Sequence, residues 1–233
     1  MALRAESTTG RLARRAHARA FTLIEVLVVV TIIALLIAIL LPGLGRARRL
    51  SIQLHCENNH KQFGLTLATY AHDARGFMPL PNWKSVDVGT GWLYHPPAGA
   101  WKWETHRTGV FYQYMERDEV FRCKAHLEPY RASSFTTSYL MNGAVVGFGR
   151  SKRAFRMDQF RGEAIMFWET ESADSWNDGS SYPSEGLNTR HGKGNTVGCA
   201  DGSTDWINRQ EYAQELERRP GRLWCAPDTR TGD

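Results

Sequence analysis

The feature that most constrains this chain is an unbroken apolar run over residues 21–41, which carries a single charge, Glu25. As an α-helix the run would measure about 31 Å, which matches the hydrocarbon thickness of a bilayer. A helix that is apolar on every face is unusual inside a domain of ordinary size. The run therefore predicts a membrane-spanning helix.

The positive charge of the chain is concentrated before this run. The formal net charge is +5, from 29 Lys+Arg and 24 Asp+Glu. Only one acid, Glu6, precedes Phe21, against five arginines: Arg4, Arg11, Arg14, Arg15 and Arg19. The rest of the chain is close to neutral, which argues against a basic nucleic-acid-binding face. A basic leader predicts a cytoplasmic N-terminus and an exported C-terminal part.

Glu25 decides between the possible kinds of membrane segment. A cleaved secretory signal calls for a small-x-small site, and none follows Leu41 directly. A plain single-pass anchor accounts for the length of the run but not for the acid. A carboxylate inside a membrane helix costs about 2.5–3.5 kcal/mol at the centre, so it indicates a function.

Residues 20–25, Ala-Phe-Thr-Leu-Ile-Glu, resemble the type IV prepilin signature of type IV pilins and of the pseudopilins of type II protein secretion. The resemblance implies cleavage between Ala20 and Phe21 by a prepilin peptidase, which removes the leader at 1–20, and methylation of the new Phe21 amine. Ala20 departs from the glycine that is usual before the cut. The resemblance also implies a single-pass inner-membrane location with the head in the periplasm or at the cell surface.

In this family Phe21 and Glu25 would serve assembly. In a fibre, Glu25 of one subunit can meet the Phe21 amine of its neighbour, which offsets the cost of a carboxylate in lipid. The implied partners are the prepilin peptidase, other pilin-like subunits, an inner-membrane assembly platform and membrane lipid. The alternative is that Glu25 lies among lipid headgroups and contacts water.

A second helical pattern follows Pro42. Its residues recur at spacings of three and four as far as about His72: Ile52, Cys56, Asn59, Phe63, Leu67 and Tyr70. The sequence predicts an α+β, pilin-like fold in which a long N-terminal helix packs on an antiparallel β-sheet head. Its parts are a leader at 1–20, a transmembrane and assembly helix at 21–44, an amphipathic helix at 45–74 and a head domain at 75–233.

Several segments resemble one branch of pilin-like proteins. They are residues 56–70, 120–123 and 137–143, and above all a C-terminal His-x9-Asp-Gly signature from His191 to Asp201-Gly202. His191 is interpreted as a structural residue that supports the turn at Asp201. A role for it as a ligand or proton shuttle is the alternative.

Local patterns in the head predict short strands. Apolar runs at 110–114, 144–148, 164–168 and 196–199 are typical of strands. Asp201-Gly202 predicts a hairpin turn, and Glu211–Arg219 predicts a short helix. The sequence has neither a nucleotide-binding glycine loop nor a nucleophile elbow, so no enzyme is predicted.

The four cysteines leave several arrangements open. Four thiols in an exported head permit three disulfide pairings. Cys199–Cys225 is the predicted pair, by analogy with the C-terminal disulfide of many pilins. The alternative is a zinc site built from two cysteines and two histidines: Cys56, His60, Cys123 and His126.

No cofactor is predicted, although the acidic stretch at 169–179 is a candidate calcium loop. Its spacing does not match an EF-hand, so a solvated acidic loop is the preferred interpretation. The eight tryptophans suggest a second hypothesis, a membrane-tethered module that never polymerises. In it, the rings between Trp83 and Trp103 would stack on a glycan or another polymer.

Overall fold

The structure is a computed structural model, and its contacts divide the chain into two compact units, Met1–Arg46 and Ala47–Asp233. It describes residues 22–83, 89–96, 103–127, 136–170 and 179–233. The predicted leader, with Ala20 and Phe21, lies outside the described residues.

Helix α1 runs over Leu23–Asp73 and remains helical through Pro42. In the first unit every described residue is exposed, including the large aliphatic side chains between Leu23 and Leu44. By length and composition this helix is able to cross a membrane. An apolar surface on all sides of a helix suits lipid or other helices better than water.

In the second unit, α1 buries one face. Cys56, Asn59, Phe63 and Leu67 are buried, as the helical spacing predicts. The Phe63 ring lies at the centre of the core, with five aromatic rings at centroid distances of 5.2–5.9 Å. These rings belong to Trp92, Phe111, Phe121, Tyr139 and Phe167.

The head contains a five-stranded sheet in the order β3-β1-β2-β4-β5. Its strands are β1 (Leu140–Asn142), β2 (Ile165–Trp168), β3 (Ser180–Ser181), β4 (Gly194–Cys199) and β5 (Thr204–Asn208). The α+β prediction is confirmed, but the sheet is mixed, because β3 pairs parallel with β1. Strand β2 runs antiparallel to β1, and the chain reverses direction again before β3. Strand β3 therefore runs parallel to β1 where it pairs with the other edge of β1.

Two predicted strands are wrong. The run at 110–114 forms α2 (Val110–Met115), and the run at 144–148 forms a 3-10 turn at Gly143–Val146. The Asn142 side chain accepts a hydrogen bond from Ala144 N at 2.9 Å and so starts this turn. A short apolar run does not by itself distinguish a buried strand from a buried helical turn.

The predicted hairpin turn and the predicted short helix after it are confirmed. Strands β4 and β5 form an antiparallel hairpin whose turn contains Gly202 with a φ of +82°. Helix α3 (Arg209–Glu217) follows at once and is capped by the Asn208 side chain. The turn lies against α1, because a Cβ placed on Gly64 would lie 2.6 Å from the Gly202 Cα.

Candidate functional site

The first site is the start of α1, where Glu25 lies. The Glu25 carboxylate accepts hydrogen bonds from the backbone N and the hydroxyl of Thr22, both at 2.9 Å. Glu25 N donates in return to the Thr22 hydroxyl at 3.2 Å. This reciprocal cap satisfies backbone donors that a helix start leaves without partners. The carboxylate also lies at the positive end of the helix dipole.

The second site is a buried cluster in the head, formed by Cys56, Cys123, Glu169 and His191. One ligand atom from each side chain lies within 4.8 Å of each of the others. The two sulfur atoms are 3.1 Å apart. His191 Nε2 lies 3.2 Å from Cys123 Sγ and 3.2 Å from Glu169 Oε1. Thiolates, imidazole and carboxylate are all metal ligands, so this cluster is a candidate metal centre.

Neighbouring groups orient the cluster. Arg190 donates a hydrogen bond to the second carboxylate oxygen of Glu169 at 3.1 Å. Ala125 N donates to Cys123 Sγ at 3.3 Å, and Cys123 N donates to the Ser138 hydroxyl at 3.0 Å. The Glu169 side chain is completely buried and that of His191 is 2% exposed.

Opposed charges meet in this cluster. Burial works against a charge on Glu169, yet the hydrogen bond and charge of His191, with the charge of Arg190, keep the pKa of the carboxyl below its usual value. Burial also opposes a charge on His191, but the neighbouring thiol and the Glu169 carboxylate raise the pKa of the imidazole to about 10.

The two thiols share a hydrogen bond, which shifts their pKa values in opposite directions. This bond lowers the pKa of the Cys56 thiol to about 5 and raises the pKa of the Cys123 thiol. The lowered pKa of the Cys56 thiol and the raised pKa of the His191 imidazole each favour the charged form of the group. Such a pairing lowers the cost of burying either charge.

Four separate segments bring these residues together. Cys56 is on the buried face of α1, and Cys123 follows the 3-10 turn at Asp118–Phe121. Glu169 comes directly after β2, and His191 comes three residues before β4. Because β2 and β4 are antiparallel neighbours, the end of one strand lies beside the beginning of the other.

The alternative zinc site of the sequence analysis grouped Cys56 and Cys123 with His60 and His126. Cys56 and Cys123 do come together, but His60 and His126 are not the histidines of the cluster. The His60 ring is buried edge-on against the Tyr139 ring, with 5.0 Å between the ring centroids. His126 Nδ1 lies 3.1 Å from the Ser138 hydroxyl.

Glu169 and His191 are the residues that the sequence analysis did not place with the thiols. His191 was expected to support the Asp201 turn, but its Nε2 contacts Cys123 and Glu169. The turn itself has a hydrogen bond from Ser203 N to the Asp201 carboxylate at 2.9 Å. Glu169 was counted in the candidate calcium loop. Most of that loop, 171–178, lies outside the described residues. The feature that would have placed them together is the antiparallel pairing of β2 with β4. Glu169 follows β2, and His191 precedes β4.

Cys199 and Cys225 are not bonded to each other in the structure, where all four cysteines are free. Arg222 donates to the Cys199 sulfur at 3.6 Å, and Asn142 donates to the Cys225 sulfur at 3.7 Å. The sulfur atoms that the fold brings together are those of Cys56 and Cys123 instead. The Cys199–Cys225 disulfide stays a prediction that the structure does not support.

The tryptophans between Trp83 and Trp103 do not form an exposed row in the part of the chain that is described. Trp92 is completely buried and donates from its indole nitrogen to Gly179 O at 2.9 Å. Trp83 and Trp103 are partly buried against the core. Trp101 lies outside the described residues.

Comparison with known families identifies the N-terminal segment. Residues 15–41 match the family model of the prokaryotic N-terminal methylation motif. The match is consistent with a type IV pilin-like protein or pseudopilin, and it covers both the expected cleavage site and Glu25. The search of curated proteins and the search of solved structures each found no match.

Proposed function

We propose that this chain is a structural pilin-like subunit, made as a membrane-inserted precursor and assembled with other pilin-like subunits into a type IV pilus-like or type II secretion fibre. The observation that supports it best is the methylation motif at residues 15–41. This motif coincides with the half of α1 whose apolar side chains are all exposed. A helix of this kind needs lipid before assembly and the helices of other subunits after it.

Processing would occur between Ala20 and Phe21. Removal of residues 1–20 takes away the five arginines of the leader and leaves an ammonium group at Phe21. That group would lie at the membrane surface, four residues before Glu25. The basic leader supports an N-terminus in the cytoplasm and a head exported to the periplasm or cell surface.

Glu25 would act in assembly. Its carboxylate already accepts two hydrogen bonds from Thr22, so the acid is tolerated at the start of the helix before any neighbour arrives. A Phe21 ammonium from the adjoining subunit would add an opposite charge in a medium of low dielectric constant. This pairing would set the axial register between neighbouring helices. The prepilin peptidase and an inner-membrane assembly platform are the further partners that this function requires.

Mass spectrometry of the mature chain tests the processing step. In cells with an active prepilin peptidase the chain should begin at Phe21, with an added methyl group. Glu25→Ala should still insert and be cleaved but should be lost from fibres. Thr31→Ala is the matched control in the same exposed half, and it should assemble normally. A chain that still begins at Met1 and remains monomeric would overturn the proposal and favour the membrane-tethered binding module.

A further inference from the structure

We propose that Cys56, Cys123, Glu169 and His191 bind one Zn²⁺ ion in a structural site that ties helix α1 to the sheet of the head. The site lies entirely within the second compact unit. It is independent of the processing proposed above, since metal content and N-terminal cleavage are measured separately.

The geometry of the cluster is close to that of a tetrahedral site. With bonds of about 2.3 Å to sulfur and about 2.0 Å to nitrogen or oxygen, the ligand atoms of tetrahedral zinc lie about 3.3–3.8 Å apart. The three measured separations are 3.1, 3.2 and 3.2 Å. All four atoms lie within 4.8 Å of one another. Small side-chain rotations are enough to place them around one ion.

The donor set selects the kind of metal. Two sulfur ligands and an imidazole favour zinc over calcium or magnesium, which prefer oxygen ligands. Two thiolates and the Glu169 carboxylate carry three negative charges. The Zn²⁺ ion and the Arg190 guanidinium carry three positive charges, so the site is neutral in total. A neutral total is what a buried ionic site requires.

The groups around the four ligands suit a metal site. Arg190 holds the carboxylate oxygen of Glu169 that faces away from His191, at 3.1 Å. The N–H of Ala125 points at the Cys123 sulfur at 3.3 Å, which stabilises a thiolate there. Partners of this kind orient metal ligands and tune their affinity.

A Cys56–Cys123 disulfide is the competing interpretation, and an oxidising compartment would favour it. The sulfur atoms are 3.1 Å apart, about 1 Å longer than an S–S bond. A disulfide would also use only two of the four residues. With a disulfide, the contacts of His191 Nε2 at 3.2 Å with a sulfur and with a carboxylate oxygen would be hydrogen bonds only. A shared ion accounts for the convergence of all four.

The test measures zinc in the full-length chain, extracted in mild detergent from cells grown with added Zn²⁺ and purified without chelator. We expect about one zinc per chain. Cys56→Ser and His191→Ala should lower the affinity for zinc by at least about tenfold, a loss that even the outer partners of metal ligands can cause, and with it the zinc content of the purified chain. Cys199→Ser is the matched control, because Cys199 is a buried thiol outside the cluster, and it should keep the zinc.

A measurement on the wild-type chain tests the proposal even if the variants do not fold. X-ray absorption at the zinc edge of the wild-type chain should show two sulfur neighbours at about 2.3 Å and two lighter ones at about 2.0 Å. The proposal is overturned if the purified chain lacks zinc and peptide mass spectrometry shows a disulfide between Cys56 and Cys123. It is equally overturned if Cys56→Ser and Cys199→Ser bind the same amount of zinc.

Discussion

The two halves of helix α1 differ in where their apolar side chains find partners. From Leu23 to Leu41 the helix is apolar on every side apart from Glu25, and all residues as far as Arg46 are exposed. From Ala47 to Asp73 it is apolar along one stripe, and that stripe is buried in the head. The first half therefore depends on an environment outside the chain, whereas the second half depends on the rest of the chain. Substitutions in the second half should change folding, and substitutions in the first half should change insertion and assembly.

Phe63→Ala should have the largest effect on folding. The Phe63 ring is completely buried and contacts five other rings, so its removal leaves a cavity at the centre of the core. We expect a loss of about 3–5 kcal/mol in the free energy of unfolding. Chemical denaturation of the full chain in detergent, followed by near-UV circular dichroism, measures it.

The matched control is Leu65→Ala, two residues further along the same helix. The Leu65 side chain is 70% exposed, so its truncation should change stability by less than about 0.5 kcal/mol. Equal losses in the two variants would contradict the division of α1 into a buried stripe and an exposed surface.

His60 should make the head sensitive to acid. Burial lowers the pKa of its imidazole from the ordinary 6.5 to about 4. The unfolded chain therefore binds a proton near pH 6.5 that the folded chain accepts only near pH 4. Between these values acidification favours the unfolded state, and the total loss of stability is about 2–4 kcal/mol.

The measurement for His60 is a set of unfolding curves between pH 4 and 7. His60→Gln removes the titrating group, so the unfolded chain should bind about one proton fewer relative to the folded chain in this range. The free energy of unfolding should then depend less steeply on pH. His72→Gln is the control, since His72 is exposed on the same helix, and it should keep the wild-type slope. If wild type and His60→Gln lose stability in parallel, another group is responsible.

The sequence was sufficient for the features that depend on local pattern. The spacing from Cys56 to Leu67 predicted the buried stripe of α1, and Asp201-Gly202 predicted the hairpin. Both are short-range features, in which the periodicity or the turn residue is itself the physical cause. The methylation motif is of the same kind, since it is read from consecutive residues.

The candidate metal site could not be predicted in the same way. Cys56 and Cys123 are 67 residues apart, and Cys123 and His191 are 68 apart. The nearby histidines His60 and His126 matched a zinc spacing, yet the fold turns their rings to other partners. Which histidine meets the thiols depends on the order of the strands, and the sequence analysis did not derive that order.

The smallest expected effect comes from a glycine-to-alanine substitution, which we compare between the two halves of α1. Gly64 allows the closest approach between α1 and the hairpin turn, since a Cβ there would lie 2.6 Å from the Gly202 Cα. Backbone atoms cannot rotate aside as a side chain does, so Gly64→Ala should force the helix and the turn apart. We expect a loss of about 1–3 kcal/mol in the free energy of unfolding, as for other overpacked sites.

Gly43→Ala is the matched change in the exposed half, where a Cβ would meet no atom of the described residues within 4 Å beyond the adjacent turns of its own helix. Alanine favours a helix over glycine by about 1 kcal/mol, so this variant should keep the helix and leave the unfolding of the head unchanged. Denaturation curves of both variants give the comparison directly. A Gly64→Ala chain as stable as the wild type would mean that the helix and the turn are not in close contact.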